Sequence, residues 1–262
     1  MRKKIGLALL VAGLSAGSVV GGEGPVYRIG SVRTGQLTYP ALNNLDLREG
    51  TIEFWLKLAF DPADYLPGGR YTGLLGVVHL AGEDGGGGLL YFAQGDSLRW
   101  SVSMTSPLQP AGPTDRIMVP DRWYHVALVW QGREMVFYLD GERASGRHQI
   151  VPLHQVFGRL ARTQTLRFGD PRGQQALMVI DDLRISRVAR QPEELGFFIG
   201  EHTPDIYTSV LDPFEDAFVP DGETTTQPTV IWAGPGGLPS RECRFVPGKY
   251  GRGLSFFTPP EK

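Results

Sequence analysis

Between Val119 and Ser145 the chain reads VPDRWYHVALVWQGREMVFYLDGERAS, and this stretch limits the fold more than any other. Tyr124, Val126, Leu128 and Trp130 fall on one face of an extended strand, and Met135, Phe137 and Leu139 on one face of a second. Alternation with a period of two marks strands, because successive side chains point to opposite sides. Gln131-Gly132 separates the first pair of strands. Asp140-Gly141 separates the second, and Asp-Gly suits a type I′ turn, which needs positive φ at both central positions. The stretch predicts three antiparallel strands joined by two tight turns.

The rest of the chain repeats this grammar. Gln36–Tyr39 reads as a short strand. Gly50–Leu58 is a longer one, with Ile52, Phe54, Leu56 and Leu58 on a core face and Glu53, Trp55 and Lys57 on a face at least partly wet. Further strands are expected at Leu74–Leu80, Leu89–Phe92, Leu98–Met104, Leu166–Asp170 and Ala176–Ser186. Gly85–Gly88 reads as part of a long turn, Ser106–Thr114 as a proline-rich loop, and Gln191–Leu195 as the opening of a short helix led by Pro192. His148–Arg162 is ambiguous. With 35 Gly and 20 Pro in 262 residues, many short strands and almost no amphipathic helix, the chain is expected to be all-β, an antiparallel two-sheet sandwich or jelly roll.

Residues 1–22 read as a secretory signal peptide. Arg2, Lys3 and Lys4 precede the apolar stretch Ile5–Leu14, and small residues follow, with cleavage after Gly17 or Gly22. The expected location is outside the cell, in a periplasm or on a cell surface. No other segment is apolar enough to span a membrane. A formal net charge of −2 without basic clusters excludes the electrostatic footprint of a nucleic-acid binder. With one cysteine, Cys243, no disulfide forms within the chain, and an exported domain has to rest on its hydrophobic core.

Four motifs recur in a telling order: Gly50–Lys57 (GTIEFWLK), Arg122–Leu128 (RWYHVAL), Phe137–Gly141 (FYLDG) and Ile180–Ser186 (IDDLRIS). Together they resemble the laminin-G-like jelly-roll domains of the concanavalin A-like lectin/glucanase superfamily. The likeness covers roughly Tyr27 to Leu195, which places a jelly-roll domain at residues 23–196. Residues 197–262 form a short β-containing extension, in which Thr208–Phe218 and Phe245–Phe256 look like the start of a second such unit. Either this tail docks on the first domain and completes its sheets, or it is a truncated second repeat. Docking is favoured, since two lone strands are marginal in water.

The family likeness implies sugar binding, protein binding, calcium-dependent adhesion or glycanase activity. Glycanases of this superfamily need carboxylates at alternate positions of one strand, as acid and nucleophile. No such motif is present: Glu53 stands alone, and Asp181 and Asp182 are adjacent. Asp181, in phase with Leu183 and Ile185, is expected to point inward and accept backbone hydrogen bonds. His79, His125, His148, His154 and His202 show no zinc spacing, and His125 reads as scaffold. Calcium is the ion the resemblance implies, with loop acids Asp61, Asp64, Glu83, Asp84 and Asp170 as candidate ligands. Tyr65, Tyr71, Trp55 and Trp100 are the candidate stacking faces for a sugar. The leading expectation is a secreted, non-catalytic module that binds carbohydrate or an extracellular protein. A structural or adhesion module comes second and a glycoside hydrolase third.

Overall fold

The structure is a computed structural model that describes residues 33–61, 75–82, 85–92, 98–100, 111–113, 118–144, 148–149, 152–160, 162–169, 176–215, 238–239 and 242–258. In chain order the strands are β1 (Arg33–Thr34), β2 (Leu37–Pro40), β3 (Glu49–Leu58), β4 (Leu75–Gly82), β5 (Gly85–Phe92), β6 (Leu98–Trp100) and β7 (Ala111–Pro113). Then come β8 (Trp123–Gln131), β9 (Glu134–Leu139), β10 (Glu142–Arg143) and β11 (His148–Gln149). A single-turn helix α1 (Leu153–Val156) precedes β12 (Thr165–Phe168) and β13 (Met178–Ser186). A 3-10 turn (Pro192–Glu194) and the helix α2 (Gly196–Ile199) follow, then β14 (Thr208–Asp212), β15 (Leu238–Pro239), β16 (Arg244–Pro247), β17 (Arg252–Ser255) and β18 (Phe257–Thr258).

The larger sheet runs β10-β9-β8-β3-β13-β17-β16, with β11 also paired to β9 and β14 also paired to β13. The smaller runs β15-β2-β12-β4-β5-β6-β7, and β1 pairs with β18 in a separate ribbon. Every ladder among the described residues is antiparallel. The fold is the all-β antiparallel sandwich that the sequence predicts.

The core lies between the sheets. Ile52, Phe54, Leu56 and Leu58 of β3 and Tyr124, Val126, Leu128 and Trp130 of β8 face it, as their alternation requires. Leu37 and Tyr39 of β2 and Leu166 and Phe168 of β12 meet them from the other sheet. Phe54 and Phe168 pack edge to face with centroids 5.5 Å apart. Burial of each such side chain contributes about 1.5–3 kcal/mol. The β9–β10 hairpin has the expected two-residue turn, with φ of 51° at Asp140 and 73° at Gly141. Asp140 also ties the hairpin to β8, where its Oδ1 accepts the His125 N–H at 2.9 Å.

Three local readings need correction. Gly85–Gly88 belong to β5, and their ladder with β4 runs to the Gly82–Gly85 pair, because glycines without side chains still pair through the backbone. Ala111–Pro113 is a strand rather than loop. It lies on the outermost position of its sheet, where a proline without an N–H is tolerated. The first hairpin of the central block turns at Gly132-Arg133, one residue later than expected, since Gln131 pairs with Glu134.

Strands that follow residue 197 extend the larger sheet. β17 pairs with Val179 and Ile180 of β13, and β14 pairs with Leu183 to Ser186. The two succeed one another along the edge of β13 opposite β3. Leu254, Phe256 and Val210 are buried in the common core. The Tyr39 hydroxyl donates to Asp212 Oδ2 at 2.7 Å, linking β14 to the opposite sheet. Residues 1–22, read from the sequence as a signal peptide, and residues 23–32 lie outside the described residues.

Candidate functional site

The outer face of the larger sheet is not wet at its centre. Glu53, Trp55, His125, Ala127 and Val129 all face this side, and all are buried. The covering layer is the chain from Ala189 to His202, joined by the 248–250 turn. Leu195 packs on Ala127 and Val129, with Tyr138 and Ala189 at the margin. The apolar Trp55, Ala127 and Val129 on a nominally wet face were the available sequence signal for this third layer.

A β-bulge sets the chemistry beneath it. Asp181 pairs with Trp55 and Arg184 with Glu53, so four residues of β13 span three of β3. The extra residue is Asp182, with φ of 50°, a conformation that aspartate tolerates better than most. The bulge corrects the phase expected for Asp181. Leu183 and Ile185 enter the core, whereas Asp181 shares the outer face with Trp55. Asp181 does accept backbone hydrogen bonds, from Asp182 N at 2.7 Å, Lys249 N at 2.7 Å and Tyr250 N at 2.8 Å. Burial nevertheless pushes its carboxyl up to about 7, against these three donors.

Glu53 is the hub. Its Oε1 accepts from Arg184 Nε at 2.8 Å and lies 2.6 Å from Arg184 Nη2 in an ion pair. Its Oε2 accepts the Gly196 N–H at 2.9 Å and lies 3.3 Å from His125 Nε2 and 3.1 Å from His202 Nε2. Burial opposes the charge on Glu53, but His125, His202 and Arg184 hold its carboxyl well below the ordinary value. Arg184 also donates to the Glu194 carbonyl at 2.6 Å, pinning the 3-10 turn. Asp182 grips His202 twice: its carboxylate accepts the His202 N–H at 3.0 Å, and His202 Nδ1 lies 2.9 Å from its carbonyl and 3.0 Å from Oδ2. Burial works against a charged His202 ring, but the Asp182 and Glu53 carboxylates outweigh it and raise its pKa to about 9. Burial has the upper hand at His125 and lowers it. Among the described residues this is where metal-ligating side chains converge, with one ligand atom each of Glu53, His125 and His202 within 4.8 Å of one another.

Trp55 is buried rather than offered to a ligand. Lys249 Nζ lies 4.4 Å over its ring, and His125, Tyr250 and Phe197 pack around it. Asp61 sits half-buried just past β3. Trp100 ends β6, with its side chain outside the description. Tyr65, Tyr71, Asp64, Glu83, Asp84 and Asp170 lie outside the described residues. The residues brought together are therefore ones that sequence reasoning treated singly or as scaffold: Glu53, His125, Asp182, Arg184 and His202. Above them the covering layer exposes Phe197, Phe198 and Ile199, and Ile206 and Tyr207 are exposed just after it, with Ile206 89% and Phe198 58% exposed.

No curated protein matches the chain. Among solved structures, Trypanosoma rangeli sialidase in complex with 2,3-difluorosialic acid is similar at 17% identity and a TM-score of 0.43, over 58% of this chain. The chain spans only 23% of that sialidase's length. A heptameric SAP-like pentraxin from Limulus polyphemus is similar at 14% identity and a TM-score of 0.47, over 82% of this chain and 92% of the pentraxin. A Bacteroides ovatus protein whose name offers carbohydrate binding as a conjecture is similar at 12% identity and a TM-score of 0.45, over 86% of this chain and 58% of its own. These likenesses concern the fold alone. A laminin-G family model matches residues 31–196, well over half of the chain, and the protein belongs to that family of the concanavalin A-like lectin/glucanases superfamily.

Proposed function

We propose that the protein is an exported, non-catalytic binding module for carbohydrate, with Tyr65 and Tyr71 as its candidate ligand contacts. The observation that supports this reading is the state of Glu53. A glycanase of this architecture needs a strand acid facing its substrate. Glu53 instead lies under α2, with one oxygen bound by Arg184 and the other by Gly196 N–H and flanked by two histidines. A carboxylate so engaged has no access to a glycosidic oxygen. Calcium held by Asp61, Asp64, Glu83, Asp84 and Asp170 belongs to the same proposal. A glycan array with added calcium and with EDTA tests it: binding in calcium supports the reading, and no binding under either condition sinks it. Turnover of a β-glucan panel by the purified protein would overturn the non-catalytic assignment.

One observation favours a second reading, an adhesion module that binds an extracellular protein. The consecutive Phe197, Phe198 and Ile199 group large apolar side chains at the surface, as protein-binding sites do. Loss of a captured partner on Phe198→Ser with the melting temperature unchanged would support it.

A further inference from the structure

The buried nitrogens beneath α2 are unusual for a structural cluster. Neither Nε2 of His125 and His202 makes a hydrogen bond, and His125 Nδ1 has none either. Both Nε2 atoms nevertheless lie within 3.3 Å of Glu53 Oε2. His202 Nδ1 faces only acceptors, the carbonyl and carboxylate of Asp182. Nδ1 therefore carries a hydrogen, and in the neutral ring Nε2 holds a lone pair 3.1 Å from Glu53 Oε2. Lone-pair atoms buried this close repel unless something positive stands between them. A proton on His202 meets part of this need, and it leaves His125 Nε2 without a partner.

We propose that Glu53, His125 and His202 form a structural site for a divalent transition ion of the zinc class. Two imidazoles and one carboxylate are a zinc-type donor set, while calcium wants six to eight oxygens. Bonds of about 2.0–2.1 Å in a tetrahedron place neighbouring ligand atoms roughly 3.3–3.4 Å apart. The two contacts to Glu53 Oε2, at 3.1 and 3.3 Å, are close to that edge. One of the two histidines also has the outer partner that zinc histidines usually have, since Asp182 orients His202 through Nδ1. Three protein ligands leave one position of the tetrahedron for water. Glycine at 196 keeps the edge clear, because a β-carbon there would stand 2.2 Å from His202 Nε2 and 3.0 Å from His125 Nε2. The ligands come from β3, β8 and the chain after α2. An ion would clamp the covering layer to the sheet and fix the exposed Phe197 and Phe198 above it. The site does not depend on the carbohydrate reading, and either can fail alone.

The test uses the tag-free full chain, depleted of metal with EDTA and dialysed. Cobalt(II) should give the visible bands of a tetrahedral site, saturating at one equivalent. Zinc should bleach them and raise the unfolding midpoint by several degrees. His125→Asn and His202→Asn should abolish the bands, and His154→Asn, at an exposed position of α1, should keep them. Folded wild-type protein without tetrahedral bands, or bands that persist in His125→Asn, would overturn the site. Should both histidine variants fail to fold, zinc-edge X-ray absorption of the wild type decides: a nitrogen and oxygen shell with imidazole scattering supports the site, and its absence rejects it.

Discussion

His202 shows how one buried ring couples the covering layer to the sheet. Glu53 from β3, His125 from β8 and Asp182 from β13 lie against it, and Arg184 holds the other oxygen of Glu53. In metal-free protein, its pKa of about 9 against an ordinary 6.5 makes stability depend on pH. The folded value lies above the unfolded one, so the contribution is complete below pH 6.5 and is lost as pH rises through 9. Its size is of order 3 kcal/mol. Urea midpoints measured in EDTA should fall between pH 6.5 and 9, and His202→Gln should flatten that slope. Arg184 supplies the other half of the charge balance. Arg184→Met leaves Glu53 Oε1 buried without its partner, at a cost of about 3–5 kcal/mol seen as a lower urea midpoint.

At the scale of elements, the β9–β10 turn supports the covering layer as well as its own hairpin. A β-carbon at Gly141 would lie 2.5 Å from Phe197 Cδ1 and 2.8 Å from two Phe198 ring atoms, and its φ of 73° is the left-handed region. Gly141→Ala should cost about 1–2 kcal/mol from backbone conformation alone. It should also displace Phe197 and Phe198, read as faster proteolysis near residues 196–202 with the core strands still protected. The bulge in β13 works on the same scale. The extra residue at Asp182 turns Asp181 and Arg184 to the outer face while Leu183 and Ile185 stay in the core. A strict two-residue alternation misplaces Asp181 for this reason: one inserted residue inverts the phase on either side of it.

At the scale of the whole molecule, β13 borrows its second neighbour from the tail. Without β14 and β17 the edge of β13 opposite β3 loses its backbone partners, and buried Val210, Leu254 and Phe256 leave the core. A chain that stops at residue 207 should lose cooperative thermal unfolding and bind a hydrophobic dye. A stable, cooperatively folded truncation would instead mark the tail as a separate unit. The strands, the Asp140-Gly141 turn and the core faces of β3 and β8 were legible in the sequence, because alternation and turn chemistry are local and each is set by neighbours a few residues apart. The family follows from the same local motifs in their order. The buried cluster was not legible. Glu53, His125, Asp182, Arg184 and His202 come from four separate parts of the chain, and no spacing rule relates them. Their meeting depends on the register of β3 between β8 and β13, on one bulge, and on a covering segment that turns a nominally wet face into an interior. Local sequence determined which residues are extended and which side of each strand is apolar. Tertiary packing decided which polar side chains lose water, and with it which of them face one another closely enough to share a charge or hold an ion.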